Sequence, residues 1–471
     1  MTWCSPPALR QAIVLRTAML SLMAWSAFAR PAFAERPAPD VAAGRAEYVR
    51  SCARCHGVEG AGDGIDAKRF YPRPRDFRLG IYKFRSTASG TAPTDEDLFR
   101  TVTHGLPGSN MPDWPHLDES IRWHLVEYLK SLAPIFQEAP AEPMAVAADP
   151  GKPHADLAKG RALYEKLGCA ACHGPTGRAN GSSAGGLVDD WGMPIRPANL
   201  AQGWNYRGGS DAESVMRRFL SGIDGAGMPS YAGTISPEDA WHLAYYVVSL
   251  QEPPRWNRIA RATRVRGELP KAIDHPAWHQ AERTDVRLRS VVTTAGEWAK
   301  APTVTQVAFQ VLYDEETLAI KLAWDDPTEN TQGPADALAV VFKPAGLAGD
   351  VVTLQAWPHE GSSALDLWHW SAATKRAGET LSPNFDVITA GGQAAGIERS
   401  SAARYADGRW QVVLQRPLAS PDLEGGAVLN PDELPTLAFA IWDGSHASER
   451  AVSPWIDVAL RPLKPVQHAQ E

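Results

Sequence analysis

The chain has 471 residues, a formal charge of −7 and five cysteines. At ~150 residues per domain, this length suggests about three domains, and the mild acidity argues against nucleic acid or anionic lipid as a partner. Past the N-terminal segment, no apolar run approaches the ~20 residues of a spanning helix, so no transmembrane segment is expected in the mature chain.

The N-terminus reads as an export signal. Arg10 and Arg16 supply the positive segment, Thr17 to Ala29 is apolar, and Ala27-Phe28-Ala29 and Ala32-Phe33-Ala34 are small-residue cleavage patterns. Residues 1–34 are expected to be a signal peptide cut near Ala34, and the protein to work in a bacterial periplasm. That segment holds three arginines and no acid, so the mature chain carries about −10.

Two copies of one pattern follow: Cys52-Ala53-Arg54-Cys55-His56 and Cys169-Ala170-Ala171-Cys172-His173. Cys-x-x-Cys-His is the attachment signature of haem c. Both thiols bond the haem vinyl groups, and the histidine beside them can ligate the iron. A redox dithiol would not need the histidine, and a zinc site would need further close ligands. Cys4, the fifth cysteine, lies in the export segment, so none is left for a disulfide or a thiol nucleophile.

The motifs sit in a repeat. Cys52 to Cys169 and Met111 to Met228 are both 117 residues, and His56 to Met111 and His173 to Met228 are both 55. In each unit a helix delivers the motif, as over Gly44 to Cys52. A Gly/Pro-rich loop and a short helix follow, the latter around Asp95 to Thr103 in the first unit. A methionine loop and a last helix complete the unit. Ile121, Leu125, Tyr128, Leu129 and Leu132 give that last helix a 3.6-residue period. Ser236, Pro237, Glu238 and Asp239 start its counterpart. Met111 and Met228, each followed by proline, are the expected second iron ligands, because a thioether favours ferrous iron. His104, His116, His124 and His242 are the competitors. Pro134 to Asp156 is rich in proline and alanine and reads as a semi-rigid extended linker.

On these residues, 35–134 and 154–254 each resemble class I cytochrome c domains. The resemblance implies two small all-α bundles, each wrapped on a haem with one edge left for electron exchange. Arg75 and Asn199 stand where propionate or loop contacts fall in that family. A dihaem peroxidase would need a haem with a releasable distal ligand, which two equally spaced methionines oppose.

The last part differs. Ten of the seventeen tryptophans lie after residue 254. From about Gly267 the period is two: Val304 to Val311, Leu318 to Trp324, Leu338 to Phe342, Val351 to Ala356, Trp410 to Gln415 and Leu437 to Trp442 read as strands separated by turns. An antiparallel β-sandwich is expected. Ile273 to Trp278, Val311 to Leu318, Asp336 to Phe342, Asp366 to Trp370 and Ala440 to Ser445 resemble the ethylbenzene dehydrogenase gamma-subunit family over roughly 267–462. That family is the haem subunit of the type II DMSO reductase group, related in fold to family 9 carbohydrate-binding modules. Its members hold a haem b between a methionine and a lysine. Here no methionine follows Met228, and the lysine position falls near Arg450. His359, His369 and His446 are the replacements available for a third haem b. Loss of that haem with retention of a docking role is the expectation.

The fold class is therefore two all-α cytochrome c domains and an antiparallel β-sandwich. No nucleophile–base pair or phosphate loop stands out, so an electron carrier holding two haem c groups is expected, not a catalyst. The resemblance implies a molybdenum oxidoreductase of the DMSO reductase family and its iron–sulfur subunit, or other periplasmic cytochromes, as partners. The alternative is a cytochrome fused to a sugar- or ligand-binding sandwich, with Trp357 and Trp368 as a platform.

Overall fold

The computed structural model describes residues 36–138, 140, 142–290, 304–342, 364–385, 396–446 and 450–461. The export segment, the expected strand Val351 to Ala356, Trp357 and His359 lie outside them.

Two helical units come first. In the first, α1 (Val41–Ser51) runs into α2 (Ala53–His56), followed by α3 (Asp95–His104) and α4 (Glu119–Ser131). In the second, α5 (Leu157–Lys166), α6 (Cys169–His173), α7 (Ala212–Ser221) and α8 (Pro237–Ser249) repeat the order. Side-chain caps set the starts. Thr94 and Asp97 form a reciprocal capping box on α3, and Ser236 Oγ accepts from Asp239 N at 3.1 Å on α8.

In each unit the first and last helices cross where a glycine lets them meet. A Cβ on Gly44 would overlap the His124 carbonyl, and one on Gly160 the His242 carbonyl. Tyrosines pack beside both crossings, with ring centroids 5.0 Å apart for Tyr48–Tyr128 and 5.5 Å for Tyr164–Tyr246. The two crossings form the frame on which each cysteine motif is hung.

The residues between the units turn through short 3-10 helices at Pro134–Gln137 and Lys152–His154, and the stretch between them is docked rather than free. Met144 N donates to Ser86 O at 2.9 Å, Trp241 Nε1 to Ala147 O at 3.0 Å, and Tyr245 Oη to Asp149 at 2.9 Å. The segment thus straps one unit to the other.

The C-terminal part is built of β1 (Ile259–Arg261), β2 (Thr263–Arg264), β3 (Thr284–Arg287), β4 (Arg289–Ser290), β5 (Gln306–Tyr313), β6 (Thr317–Asp325), β7 (Ala337–Phe342), β8 (Leu365–Ser371), β9 (Arg376–Ser382), β10 (Ile397–Ala406), β11 (Arg409–Pro417), β12 (Thr436–Trp442), β13 (Arg450–Val452) and β14 (Ile456–Ala459). The main path runs β1-β14-β12-β7-β8-β9-β10-β11-β6-β5-β2, antiparallel except at its two ends. β10 pairs β9 through Ile397 to Arg399 and β11 through Ser400 to Ala406, so one strand joins two facing sheets. Sheet pairing already begins at Ile259, ahead of the expected change at Gly267.

Between the sheets lies one core holding Phe309, Trp324, Val340, Trp368, Trp370, Val412 and Phe439. Phe309 and Phe439, from opposite sheets, meet at 4.9 Å. Trp324, Trp368 and Trp370 are fully buried. Burial of such rings, each covering ~150–250 Å², supplies much of the hydrophobic drive for the sandwich.

Candidate haem sites

The cysteine motifs occupy equivalent places. In both, the histidine ring is turned by its own unit's backbone. His56 Nδ1 lies 3.1 Å from Arg75 O, and His173 Nδ1 lies 2.9 Å from Ala198 O. A carbonyl only accepts, so Nδ1 carries the proton and Nε2 keeps its lone pair. Burial also holds both imidazoles below their ordinary pKa, against the opposing effect of those carbonyls. A neutral ring with a free Nε2 is what iron ligation needs.

The first thiol of each motif faces apolar surroundings. Cys52 packs on the core of Tyr48, Leu125 and Leu129, and Cys169 on that of Tyr164, Phe219 and Leu243. Burial pushes the Cys52 thiol up to about 12 and the Cys169 thiol up to about 11. These are poor thiolate nucleophiles, which fits attachment sites better than redox dithiols. Tyr48 Oη donates to Gly57 O at 2.8 Å and Tyr164 Oη to Gly174 O at 2.7 Å, fixing the chain just after each motif. The first histidine also stacks on Phe77 at 4.5 Å.

The methionine loops repeat at the level of single hydrogen bonds. Leu106 N donates to Met111 O at 3.1 Å, and Ile223 N to Met228 O at 3.0 Å. Each loop opens on a glycine with positive φ, 61° at Gly105 and 68° at Gly222, which an L side chain rarely adopts. Met228 packs against the second unit's core, and Met111 is half-buried. Among the competing histidines, His104 and His116 are exposed, and His242 Nδ1 accepts from Asp156 N at 3.0 Å. Cysteine pair, neutral histidine, apolar wall and methionine loop together form a donor set that fits a covalently held haem in each unit.

Arg75 contributes its carbonyl to His56, while its guanidinium lies 4.7 Å over the Trp191 ring of the second unit. Asn199 does not face its own haem motif. Its Nδ2 donates to Asp325 of the sandwich at 2.8 Å, and the adjacent Ala198 holds His173. Arg75 thus meets the first motif through its backbone, and Asn199 meets the sandwich through its side chain.

In the sandwich, His369 is buried in β8, between Trp368 and Trp370, which point the other way into the main core. Arg450 lies 4.9 Å over the Phe385 ring, and burial lowers its pKa. Trp368 is wholly buried, so it cannot be half of a sugar-binding platform. That part of the ligand-binding alternative fails because the ring is spent on packing between the sheets.

A family model described as cytochrome c oxidase, cbb3-type, subunit III, matches residues 39–129 and 155–247. The chlorate reductase gamma subunit of Ideonella dechloratans is 30% identical over 200 residues, 41% of this chain and 79% of that protein. The chain belongs to the family of that gamma subunit. A Haloferax mediterranei protein described as a respiratory nitrate reductase haem subunit is 25% identical over 221 residues, 44% of this chain and 74% of that protein. A chain from the reducing HAO-like protein complex of Kuenenia stuttgartiensis is 40% identical with a TM-score of 0.44, over 46% of this chain and 100% of that one. The helical N-terminal part is cytochrome c in kind, a class that holds haem covalently, and the relatives of the chain include subunits of chlorate and nitrate reductases. Among the described residues no helix is long and apolar enough to cross a membrane.

Proposed function

We propose that the protein is a periplasmic dihaem c-type cytochrome that passes electrons to or from a molybdenum oxidoreductase of the DMSO reductase family. Cys52 and Cys55 hold one haem and Cys169 and Cys172 the other. His56 and Met111 would hold the iron of the first, and His173 and Met228 that of the second. The observation that carries this reading is the pair of Nδ1–carbonyl bonds, which present Nε2 in the same way in both units. Haem, when bound, supplies a one-electron couple. The chain orients the imidazoles and supplies a soft neutral sulfur that raises the potential.

The two units support a relay. Arg85 of the first unit bonds Ser221 O at 3.0 Å and Asp224 at 2.7 Å, just upstream of Met228. Gly108, near Met111, lies against Asn205 of the second unit. Both methionine loops therefore border the contact between units. The second unit is in turn seated on the sandwich through Asn199, Arg178 and Arg196. On this reading the sandwich is the docking domain toward the reductase and its iron–sulfur subunit, and a third haem b is not part of the working protein.

The test is rapid mixing of the reduced cytochrome with a purified chlorate or nitrate reductase of this enzyme family. Haem oxidation that needs both the enzyme and its oxidant is the expected result. No oxidation above the enzyme-free control, across the reductases tried, would overturn the partner assignment. Rapid oxidation by peroxide without any enzyme would favour a peroxidase.

A further inference from the structure

Three aspartates meet at one end of the sandwich. Asp326 follows β6, Asp336 precedes β7 and Asp443 follows β12, so both sheets contribute. Their exposures are 0%, 0% and 1%, and one carboxylate oxygen from each lies within 4.8 Å of the others. Most of their oxygens are accounted for. Asp336 accepts from Asn330 N at 2.8 Å, Trp410 Nε1 at 2.9 Å and Gly444 N at 2.8 Å. Asp443 accepts from Ser445 N at 2.9 Å and from Arg196 at 3.1 Å. Asp326 Oδ1 accepts from Thr328 N at 3.1 Å. Asp326 Oδ2 is different: it is buried, and among the described residues it has no hydrogen-bond partner.

A buried carboxylate oxygen without a partner is costly. The cost is greater where two further carboxylates converge, one of them bonded to Arg196. A proton would cancel one charge. A divalent cation would bond all three carboxylates at once. The donor set is all oxygen, with no sulfur or imidazole nitrogen, which selects a hard cation over zinc or copper.

We propose that Asp326, Asp336 and Asp443 bind one divalent cation of the calcium or magnesium class, with Asp326 Oδ2 as the ligand now lacking a partner. The cation clips the two sheets together where the sandwich meets the second cytochrome unit. Asp325, beside Asp326, holds Asn199 at 2.8 Å and Arg178 at 2.6 Å, and Arg196 reaches Asp443. The same segment carries Ala198, whose carbonyl turns His173. The site does not depend on the electron-transfer reading, and its test does not use electron transfer.

The experiment is calorimetric titration of the EDTA-treated holoprotein with calcium and, separately, magnesium, together with melting curves in EDTA and in each cation. Uptake of one cation per chain, with a melting midpoint raised by several degrees, is expected. Asp326→Asn should abolish that uptake. In EDTA the variant should melt at or above the wild type, because one repelling charge is gone, and in the cation it should melt below. Wild-type protein that takes up neither cation, with a melt unmoved by EDTA, would overturn the proposal. So would an Asp326→Asn variant that keeps the full uptake. Should the variant not fold, the wild-type titration decides alone.

Discussion

The guanidinium of Arg85 is fully buried and pairs with Asp224 at 2.7 Å, although the two residues belong to different helical units. Arg85 also donates to Tyr82 O at 2.7 Å and Ala88 O at 3.0 Å in its own unit, and to Ser221 O at 3.0 Å across the contact. Asp224 in turn accepts from Ser89 and Gly90. One side chain thus ties a loop of the first unit to the methionine loop of the second. Removing one partner of a buried pair leaves the other uncompensated. Arg85→Ala is expected to cost about 3 kcal/mol, the low end for such pairs because Asp224 is 21% exposed. Denaturant unfolding measures the loss, and limited proteolysis between the units should speed up. An unchanged unfolding midpoint would show that the contact is not formed in solution.

Met111→Ala and Met228→Ala should each lower the potential of one haem and leave both haems attached, because the thioether bonds do not depend on the distal ligand. Axial ligands set haem potentials over a span of ~0.8 V, so a loss should be resolved easily in a potentiometric titration. Two potentials unmoved by either substitution would remove methionine from the ligand set.

A Cβ at Gly160 would overlap the His242 carbonyl, where α5 crosses α8. Gly160→Val should therefore push the two helices apart at a cost of about 1–3 kcal/mol. The second haem should be attached less completely, while the first is untouched. Mass spectrometry of the intact chain reads the haem count directly. Full loading of both haems in this variant would mean that the crossing tolerates a larger separation than the packing indicates.

Helix caps, repeat spacing and the buried strands were legible because each leaves a local mark. Ser236 before Pro237 starts α8 where the sequence places it, and the apolar alternation of β6 and β12 survives in the structure. β9 and β10 were not legible. Arg376 to Ser382 and Ile397 to Ala406 are rich in Ala, Ser, Arg and Glu, with little β-preference, and are held by pairing to neighbours. The role of Asn199 was hidden for another reason. Its partner Asp325 is 126 residues away, and no local pattern records such a contact.

Asp366 adds a pH test inside the sandwich. Burial raises its pKa to about 6; Arg416 opposes the rise, and Glu379 adds to it. A folded pKa above the unfolded value of 3.8 means that the native state holds the proton longer. This group's contribution to stability is present below about pH 4 and is lost as pH rises through about 6. The shift corresponds to about 3 kcal/mol at most. Relative to wild type, Asp366→Asn should flatten the stability curve between pH 4 and 6. Parallel curves for the two proteins would contradict the assignment.

The central claim is that this chain holds two covalent haems and no other. Pyridine haemochrome spectra before and after acid-acetone extraction of the purified protein test it most directly. Two haem c per chain, with nothing extracted, is the predicted result. Fewer than two covalent haems, or an additional extractable haem b, would contradict it.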